Sequence, residues 1–446
     1  MRGATMKVPA IRVTPPGPKA KEIIKRDETY LANTTKTSPI VAKRALGSII
    51  EDVDGNLIID FTCGIGVVNM GYSHPRIVEA VKRQAGELMH FAGQDYYYDV
   101  QARLAQKLCE LAPGRFQKKV FFGNSGAEAV EAAMKISKYY RPRGMYIAFL
   151  KAFHGRTMGA VSLTASKAVH REKFHPMVPG VVHVPYANCY RCVYRQTYPE
   201  CGLYCADIIR DLYMKTIAPP GDVAALFMEP VQGEGGYIVP PKGWTERIAK
   251  IVKDAGILLV DDEVQAGFGR TGKMFAIQHT KAVPDIITMA KAMGSGMPIS
   301  ATVFDKRLDF PVQGAHSNTY GGNLVACAAS LATIEAIEEE KAIANCVRMG
   351  EHMRKRLDEM KEKYDIMGDN RGLGLMRATE FVEDRKTKKP AKKARDAIVK
   401  DSYEHGLLML PCGESSIRYI PAINASKETI DAGLDVLEAA IRKAAK

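Results

Sequence analysis

The feature that most constrains the fold is an alternation of short apolar runs with helical patterns between about residues 118 and 305. Strands alternating with helices indicate βαβ units, and strands that are apolar along their whole length are typical of a parallel sheet covered on both faces. We therefore predict an α/β domain with a mainly parallel seven-stranded sheet flanked by helices. The predicted strands are Val120–Phe122, Met145–Leu150, Val181–Val184, Ala224–Met228, Ile257–Val260, Ile286–Met289 and Ala301–Phe304.

The pattern changes after Gly322 to long amphipathic helices, predicted over about 324–340 and 342–363. Strand-like pieces follow around Gly374–Phe381 and Ile417–Ile420, before a last helix. This succession predicts a second, smaller α+β domain.

An N-terminal segment is expected to pack with that smaller domain. Ile49–Phe61 carries Asp54-Gly55 between alternating apolar residues, which predicts a β-hairpin. The expected organisation is an N-terminal segment over 1–75, a large domain over 76–330 with a cysteine-rich insert at 189–205, and a C-terminal small domain over 331–446.

The charge balance does not indicate a nucleic-acid partner. Lys and Arg total 63 against 50 Asp and Glu, a net charge of +13. The basic stretches, the first 46 residues and Arg385–Arg395, carry neither interleaved aromatic residues nor a helix-turn-helix or zinc-finger pattern. No apolar run reaches about 18 residues, and prolines and basic residues interrupt the first thirty. We expect a cytoplasmic protein with no membrane partner.

One candidate phosphate site is the stretch Phe122–Ala129, where a strand runs through small residues into a helix. Unpaired N–H groups and a partial positive charge at a helix N-terminus favour an anion, so Ser125, Gly126 and Ala127 are candidates for binding a phosphate. Taken alone, the stretch fits an ordinary strand-to-helix turn better than a phosphate site.

Two further motifs carry ionisable groups at strand ends. Asp262 follows the apolar run Ile257–Val260, and a carboxylate there either holds a cationic ring nitrogen or caps the next helix. Lys291 follows the apolar run Ile286–Ala290. Because lysines are rarely buried unless they are paired or have a lowered pKa, Lys291 is a Schiff-base candidate.

Together these motifs resemble the class III, fold-type I aminotransferases, which use pyridoxal phosphate. The resemblance extends from Asp60–Gly66 to Arg418, in the order and spacing of that family. The 4-aminobutyrate and ornithine aminotransferases are similar, as are amino-acid racemases that share the fold and cofactor. The motifs are NSGAEA (124–129), AFHGRT (152–157), EPVQGEGG (229–236), DEVQAGFGRTG (262–272), TMAKAMGSGMP (288–298) and NTYGGN (318–323).

The resemblance implies a role for each cofactor-site residue. Lys291 would form the Schiff base and later shuttle the proton, and Asp262 would keep the pyridine nitrogen protonated. Phe153 and Val264 would cover the two faces of the ring, and Gln265 would bond its phenolic oxygen. Gly126 and Ala127, helped by Ser125, would bind the phosphate; His154 is also counted among the cofactor-binding residues. Thr319 would come from the neighbouring subunit, which implies at least a homodimer, with a higher oligomer left open.

The resemblance also implies substrate contacts. Arg418 matches the family's α-carboxylate arginine, and Glu234 matches the acid that neutralises it when an ω-amine binds. Arg156 would bind a distal carboxylate. Each of these charges also fits a structural salt bridge. Ile65 and Gln94 are expected to shape the substrate pocket, whereas the tyrosines at 96–98 fit either that pocket or interface packing.

Four of the nine cysteines form a separate cluster with the pattern C-x2-C-x8-C-x3-C. Three alternatives remain open: a closed site for structural zinc or an iron–sulfur cluster, two disulfides, or free thiols. None of them is needed for Schiff-base chemistry. The residues are Cys189, Cys192, Cys201 and Cys205.

The expected activity is transfer of an amino group from an ω-amino acid, of the 4-aminobutyrate, ornithine or lysine type, to 2-oxoglutarate. The alternative is an amino-acid racemase, which removes the same α-proton and returns it to the opposite face. No second base is evident in the sequence, and the Glu234/Arg418 pair favours transamination.

Overall fold

The computed structural model describes residues 8–445 and divides into two compact units. One unit is discontinuous and comprises the chain up to Pro75 and from Glu340 onward; the other is the continuous stretch Arg76–Glu339. The second boundary follows the end of a helix at Glu339, whereas the sequence placed it at residue 331.

The discontinuous unit begins with a helix and a hairpin. Strands β2 (Ile49–Asp52) and β3 (Leu57–Asp60) pair antiparallel with Ile49 opposite Ile59, which confirms the hairpin. Gly55 has φ +87° in the connecting turn, a conformation that favours glycine. The elements are α1 (Pro18–Tyr30), β1 (Ala42–Leu46), β2 (Ile49–Asp52), β3 (Leu57–Asp60) and the short turn α2 (Cys63–Gly66).

The continuous unit holds the seven-stranded sheet. Its elements are α3 (Pro75–Glu87), α4 (Asp99–Leu111), β4 (Lys118–Gly123), α5 (Gly126–Tyr140), β5 (Met145–Phe149), α6 (Met158–Leu163), β6 (Val181–Val184), α7 (Tyr204–Ile208), α8 (Met214–Thr216), β7 (Val223–Met228), α9 (Trp244–Asp254), β8 (Leu258–Asp262), β9 (Ile286–Met289), β10 (Ser300–Asp305) and α10 (Leu324–Glu339). The strand order is β4-β10-β9-β8-β7-β5-β6. Every neighbouring pair is parallel except the two that involve β10. The predicted mainly parallel sheet and all seven predicted strands are confirmed.

Burial explains why these apolar runs form the sheet. Every residue of β7, β8, β9 and β10 is buried, as expected for strands covered on both faces. Helix α5 packs its small and apolar side, including Val130, Met134 and Ser137, into the same core. The sheet is therefore a rigid support for the loops that leave its strand ends.

The rest of the discontinuous unit is C-terminal. Its elements are α11 (Ala342–Lys363), β11 (Met367–Leu373), β12 (Met376–Asp384), β13 (Lys389–Pro390), α12 (Lys392–Glu404), β14 (Leu407–Leu408), β15 (Leu410–Cys412), β16 (Ser416–Tyr419) and α13 (Lys427–Ala444). One sheet has the order β11-β12-β16-β15, with β13 beside β12. Strand β14 joins the N-terminal hairpin, giving the order β1-β2-β3-β14. Among the helices of residues 8–445, none has the length and apolar character to span a membrane.

Candidate active site

The candidate site lies at the carboxyl edge of the seven-stranded sheet, where ligands of open α/β sheets bind. Strand β4 ends at Gly123, β8 ends at Asp262 and β9 ends at Met289. The paired residues Gly123–Ser300 and Asp262–Thr288 show that these ends share one edge. The segments that follow them carry most of the cofactor residues predicted from the sequence.

The N-terminus of α5 provides the first wall of the site. Ser125 caps the helix, because its hydroxyl accepts a hydrogen bond from the Glu128 amide at 3.2 Å. A Cβ added at Gly126 would lie 2.8 Å from Cγ1 of Val264, so only glycine permits this approach. A Cβ added at Gly155 would lie equally close, at 2.8 Å, to Cβ of Ala127. The helix end, Val264 and the loop after β5 are therefore in direct contact.

Asp262 is held by a buried hydrogen-bond pair. Its Oδ2 lies 2.6 Å from Nδ1 of His154, and its Oδ1 accepts a hydrogen bond from the Val264 amide at 3.0 Å. Burial disfavours a charged imidazole, but the hydrogen bond to Asp262 and attraction to Asp262 and Glu229 outweigh burial and raise the pKa of His154. This pairing keeps one carboxylate oriented at the end of the central strand β8.

Three other acids surround this pair. Burial raises the pKa of Glu229 to about 7. Attraction to His154 opposes this shift, and repulsion from Asp262 adds to it. Burial first, then the charges of Glu263 and Asp262, raise the pKa of Asp261 well above its usual range. Burial likewise raises the pKa of Glu263 to about 7. A cluster of acids with raised pKa values beside an ionic pair is characteristic of functional sites.

Glu229 joins two loops of the site. Its Oε1 accepts a hydrogen bond from the Phe153 amide at 2.9 Å, and its Oε2 accepts one from the Gly233 amide at 2.8 Å. A Cβ added at Gly233 would lie 2.9 Å from Cδ of Gln265. The buried Oε1 of Gln265 accepts no hydrogen bond from any residue in the described range 8–445. That oxygen is an unsatisfied polar atom within the predicted cofactor site.

Lys291 lies just beyond the same edge. It opens a short 3-10 helix, Lys291–Met293, two residues after the end of β9. Thr288, which pairs with Asp262 in the sheet, accepts a hydrogen bond from the Glu263 amide at 2.9 Å. Lys291 and Asp262 therefore leave neighbouring parallel strands at the same end.

The structure gives Glu234 a partner that the sequence did not suggest. Nζ of Lys167 lies 2.6 Å from Oε1 of Glu234, whose side chain is 17% exposed. Arg156 is exposed, and its guanidinium carbon lies 5.7 Å from the centre of the Phe153 ring. The charged residues predicted for substrate thus lie on the Phe153 side of the site in this unit.

Two predicted substrate residues belong to the discontinuous unit. Arg418 is buried on β16, between β12 and β15, with Ala378 and Leu410 as its strand neighbours. Ile65 is half-exposed in the turn α2 and has φ +69°, an uncommon conformation for a β-branched residue. Strain of this kind concentrates at functional sites, which agrees with a substrate-shaping role.

Gln94 and Thr319 lie in loops of the continuous unit. Gln94 lines a cleft of about 520 Å³ together with Tyr97 and Tyr98. Thr319 is exposed, and its loop is fixed because the Asn318 side-chain amide donates to the Phe122 carbonyl at 2.8 Å. The loop is therefore attached to β4, immediately before the phosphate-site residues.

The cysteine cluster does not support the metal prediction. All four residues are free thiols; Cys189 is exposed and the other three are half-buried. Within residues 8–445, no group of three or more His, Cys, Asp or Glu has an arrangement that could hold a metal ion. Burial first, then the neighbouring thiols, raise the pKa of Cys205 to about 12. The alternative of two disulfides finds no support either, because the four cysteines are not paired.

Sequence reasoning missed three residues that organise the site. Glu229 lies within the EPVQGEGG motif, so the motif was recognised but its buried acid was given no role. Lys167 and His170 lie in a stretch of the sequence where no periodicity or motif distinguishes them. Only the fold brings His170 to the Phe153 ring and Lys167 to Glu234.

The fold, with its large and mainly parallel sheet, is that of the fold-type I enzymes. The family model described as aminotransferase class-III matches residues 30–441. The chain therefore belongs to the class III aminotransferase family.

Relatives in this family are named for two different reactions. A Pyrococcus horikoshii protein named alanine/serine racemase is 38% identical, covering 98% of this chain and 93% of its own length. A Bacillus subtilis protein named probable 4-aminobutyrate aminotransferase is also 38% identical, covering 94% of this chain and 96% of its own. Among solved structures, the ω-transaminase from Pseudomonas jessenii in complex with PMP has a TM-score of 0.88 at 27% identity, covering 94% of this chain and 97% of its own. Overall identity thus does not discriminate between the two reactions.

Proposed function

We propose that the protein is a pyridoxal-phosphate-dependent aminotransferase that transfers an amino group from an ω-amino acid to 2-oxoglutarate. The donor class is that of 4-aminobutyrate, ornithine or lysine. The observation that carries the proposal is that Lys291 and the His154-paired Asp262 follow neighbouring strands at one sheet edge, where Val264 contacts the N-terminus of α5.

The residues at this edge fit the cofactor. Gly126 and Ala127 leave backbone amides at a helix N-terminus for the phosphate, with Ser125 beside them. The unsatisfied Oε1 of Gln265 leaves a polar atom for the ring. Phe153 and Val264 supply the apolar surfaces expected on its two faces, and Lys291 supplies the amine for the Schiff base.

When bound, the cofactor supplies an electron sink for the carbanion formed at the substrate Cα. Asp262 would hold the proton on the ring nitrogen, while His154 orients Asp262 and would balance its charge. Lys291 supplies the amine that would take the proton from the substrate Cα and deliver it to C4′ of the cofactor. Buried Glu229 keeps Phe153 and the Glu234 loop in position, so that the substrate approaches a fixed wall.

The charged side chains suit a substrate with a carboxylate. Arg156 and Arg418 offer guanidinium groups, which match carboxylates in a bidentate geometry. Glu234 supplies an anion for the stage in which an ammonium group is presented. Ile65 and Gln94 would complete the pocket walls.

We further propose a cytoplasmic homodimer in which Thr319 completes the neighbouring subunit's site. Support comes from the fixed but exposed loop that carries Thr319. Tyr320, next to it, is 62% exposed, and Tyr97 is 99% exposed, which fits surfaces covered by a second copy.

A racemase on the same fold is the second candidate, favoured by the Pyrococcus horikoshii relative. Both reactions begin by removing the same α-proton, so the sites share Lys291 and Asp262. The pair of opposite charges assigned to Arg418 and Glu234 favours transamination, because a racemase needs only one carboxylate orientation.

The discriminating experiment incubates purified holoenzyme with single amino acids, with and without 2-oxoglutarate. Optical activity and glutamate are followed together. The proposal expects glutamate only when both an ω-amino donor and 2-oxoglutarate are present. Loss of optical activity without any oxo acid, and without glutamate when oxo acid is added, would establish the racemase instead.

A further inference from the structure

A single buried hydroxyl joins the loop that carries His154 to the end of helix α6. The His154 amide donates a hydrogen bond to Oγ1 of Thr164 at 2.9 Å. The same Oγ1 lies 3.0 Å from the carbonyl oxygen of Gly155 and 3.1 Å from that of Ala160, and its one hydrogen can be donated to either. Thr164 is completely buried. Its hydroxyl therefore accepts from one residue of the loop and can donate to the next.

Thr164 is itself held firmly in place. It caps the C-terminus of α6, where its amide donates to the Ala160 carbonyl at 3.1 Å. Nη1 of Arg171 donates to the Thr164 carbonyl at 2.5 Å. The same nitrogen donates to the carbonyls of Val161 and Ser162 at 3.2 and 3.1 Å. Because the last carbonyls of a helix have no partner within it, this arginine fixes the helix end from which the Thr164 hydroxyl acts.

The loop opposite Thr164 is held at two successive amides. The Phe153 amide donates to a buried carboxylate at 2.9 Å, and the next amide, that of His154, donates to Thr164. Gly155 follows with φ +136°, a conformation that favours glycine. A Cβ added there would lie 2.8 Å from a side chain at the N-terminus of α5. The backbone beside His154 is therefore packed closely against the site and held from the α6 side by the Thr164 hydroxyl.

The direction of the His154 ring depends on this backbone. Nδ1 of the ring lies 2.6 Å from Oδ2 of Asp262. Nε2 is buried, and among the described residues it has no hydrogen-bond partner. The ring packs edge-on against Phe227, with 6.2 Å between ring centres, which leaves rotation and small shifts uncorrected by any polar contact on that side. A displacement of the His154 backbone would therefore be passed directly to the contact with Asp262.

We propose that Thr164 is a positioning residue for the reaction, whose hydroxyl holds the His154–Gly155 segment so that Nδ1 of His154 faces Asp262. Thr164 acts through these residues and does not contact the reacting atoms. The inference rests on the proposed function, because the orientation of Asp262 matters to the reaction only if Asp262 holds the cofactor's ring nitrogen. It deepens that function by giving a role to a residue that lies outside every motif of the site.

The first test compares Thr164→Val with Thr164→Ser. Valine replaces the hydroxyl by a methyl group, so the buried His154 amide loses its acceptor. NMR of the cofactor-free Thr164→Val protein should find the pKa of His154 lowered, because the hydrogen bond to Asp262 that raises this pKa is loosened. Thr164→Ser keeps the hydroxyl and should keep the wild-type pKa of His154.

The second test measures turnover of the holoenzyme. Thr164→Val should lower kcat roughly tenfold to a hundredfold, the effect of a small misplacement of a functional group, with little change in KM for the amino donor. Thr164→Ser should recover most of the rate. Thr333→Val is the matched control, because Thr333 is equally buried and its hydroxyl donates at 2.8 Å to the Ala329 carbonyl within α10. That control should leave kcat and the pKa of His154 unchanged.

Hydrogen exchange of the wild-type protein provides a test that needs no variant. The His154 amide lies in a loop, yet it should exchange as slowly as the amides of the central strands, because the Thr164 hydroxyl accepts its hydrogen bond. Rapid exchange of this amide would overturn the inference even if Thr164→Val failed to fold.

The outcomes separate this inference from the proposed function. An unchanged pKa of His154 in Thr164→Val, an unchanged kcat, or a loss of kcat as large in Thr164→Ser as in Thr164→Val overturns the inference. A lower kcat without a lower pKa of His154 would show a merely structural role and overturns it as well. If the wild-type enzyme forms no glutamate, the proposed function fails, whereas the pKa and exchange measurements on cofactor-free protein still decide whether Thr164 holds His154.

Discussion

Substitution of Gly126 by alanine tests whether the N-terminus of α5 holds the phosphate. The added Cβ would lie 2.8 Å from Cγ1 of Val264, whereas ordinary contacts begin at 3.4 Å, so one partner must move by about 0.6 Å. Overpacking of this kind typically costs about 1–3 kcal/mol. The protein without cofactor can relax by moving either partner, but the bound cofactor requires both in place. The dissociation constant should therefore rise roughly 5- to 150-fold.

The assay titrates protein freed of cofactor with pyridoxal phosphate and follows absorbance. Gly86→Ala is the matched control, because Gly86 lies in α3 with no atom within 4 Å of an added Cβ. That control should bind the cofactor normally and gain about 0.5–1 kcal/mol of stability from the better helix former. Wild-type affinity in Gly126→Ala would refute the phosphate assignment.

Three further predictions concern the ionisable residues. Asp262→Asn should reduce turnover by several orders of magnitude, because an amide cannot hold the ring proton. NMR should find the pKa of His154 lowered in this variant, since the attraction of Asp262 is lost. Near-normal rates would assign the role to another acid. Burial raises the pKa of Glu229 from 4.5 to about 7, so its contribution to stability is present below pH 4.5 and is lost as the pH rises through 7. In denaturant titrations of cofactor-free protein, Glu229→Gln should reduce this pH-dependent loss of unfolding free energy by about 3 kcal/mol. An unchanged dependence of the unfolding free energy on pH would contradict the shift. Glu234→Ala should slow reaction with an ω-amine roughly tenfold to a hundredfold in stopped-flow bleaching while sparing glutamate; equal losses would mean that the charge is structural.

The large sheet could be predicted from sequence because its strands are buried on both faces. Continuous apolar runs such as Val223–Met228 leave little choice of secondary structure. The hairpin was predictable for a different reason, since Asp54-Gly55 supplies the turn chemistry directly. By contrast, β13 and β14 have two residues each and are defined by their partners, not by their own pattern.

Motifs at strand ends predicted candidate site residues, whereas no motif pointed to the residues that loops bring to the site. The roles expected of Lys291 and Asp262 follow from chemistry that requires an amine and a carboxylate at strand ends. The position of Lys167 depends on contacts between loops far apart in sequence, which a single sequence does not encode in any short pattern. The metal alternative finds no support in the described residues, because close spacing of cysteines along the chain does not guarantee a ligand geometry.

The central claim is that Lys291 carries the cofactor. Borohydride reduction of the purified yellow holoenzyme, followed by peptide mass spectrometry, tests it directly. Absorbance near about 400 nm, expected of a conjugated Schiff base, should disappear, and the pyridoxyl mass should be found on Lys291. Lys291→Ala should neither carry the label nor turn over substrate. A label on another lysine, or full activity in Lys291→Ala, would contradict the assignment.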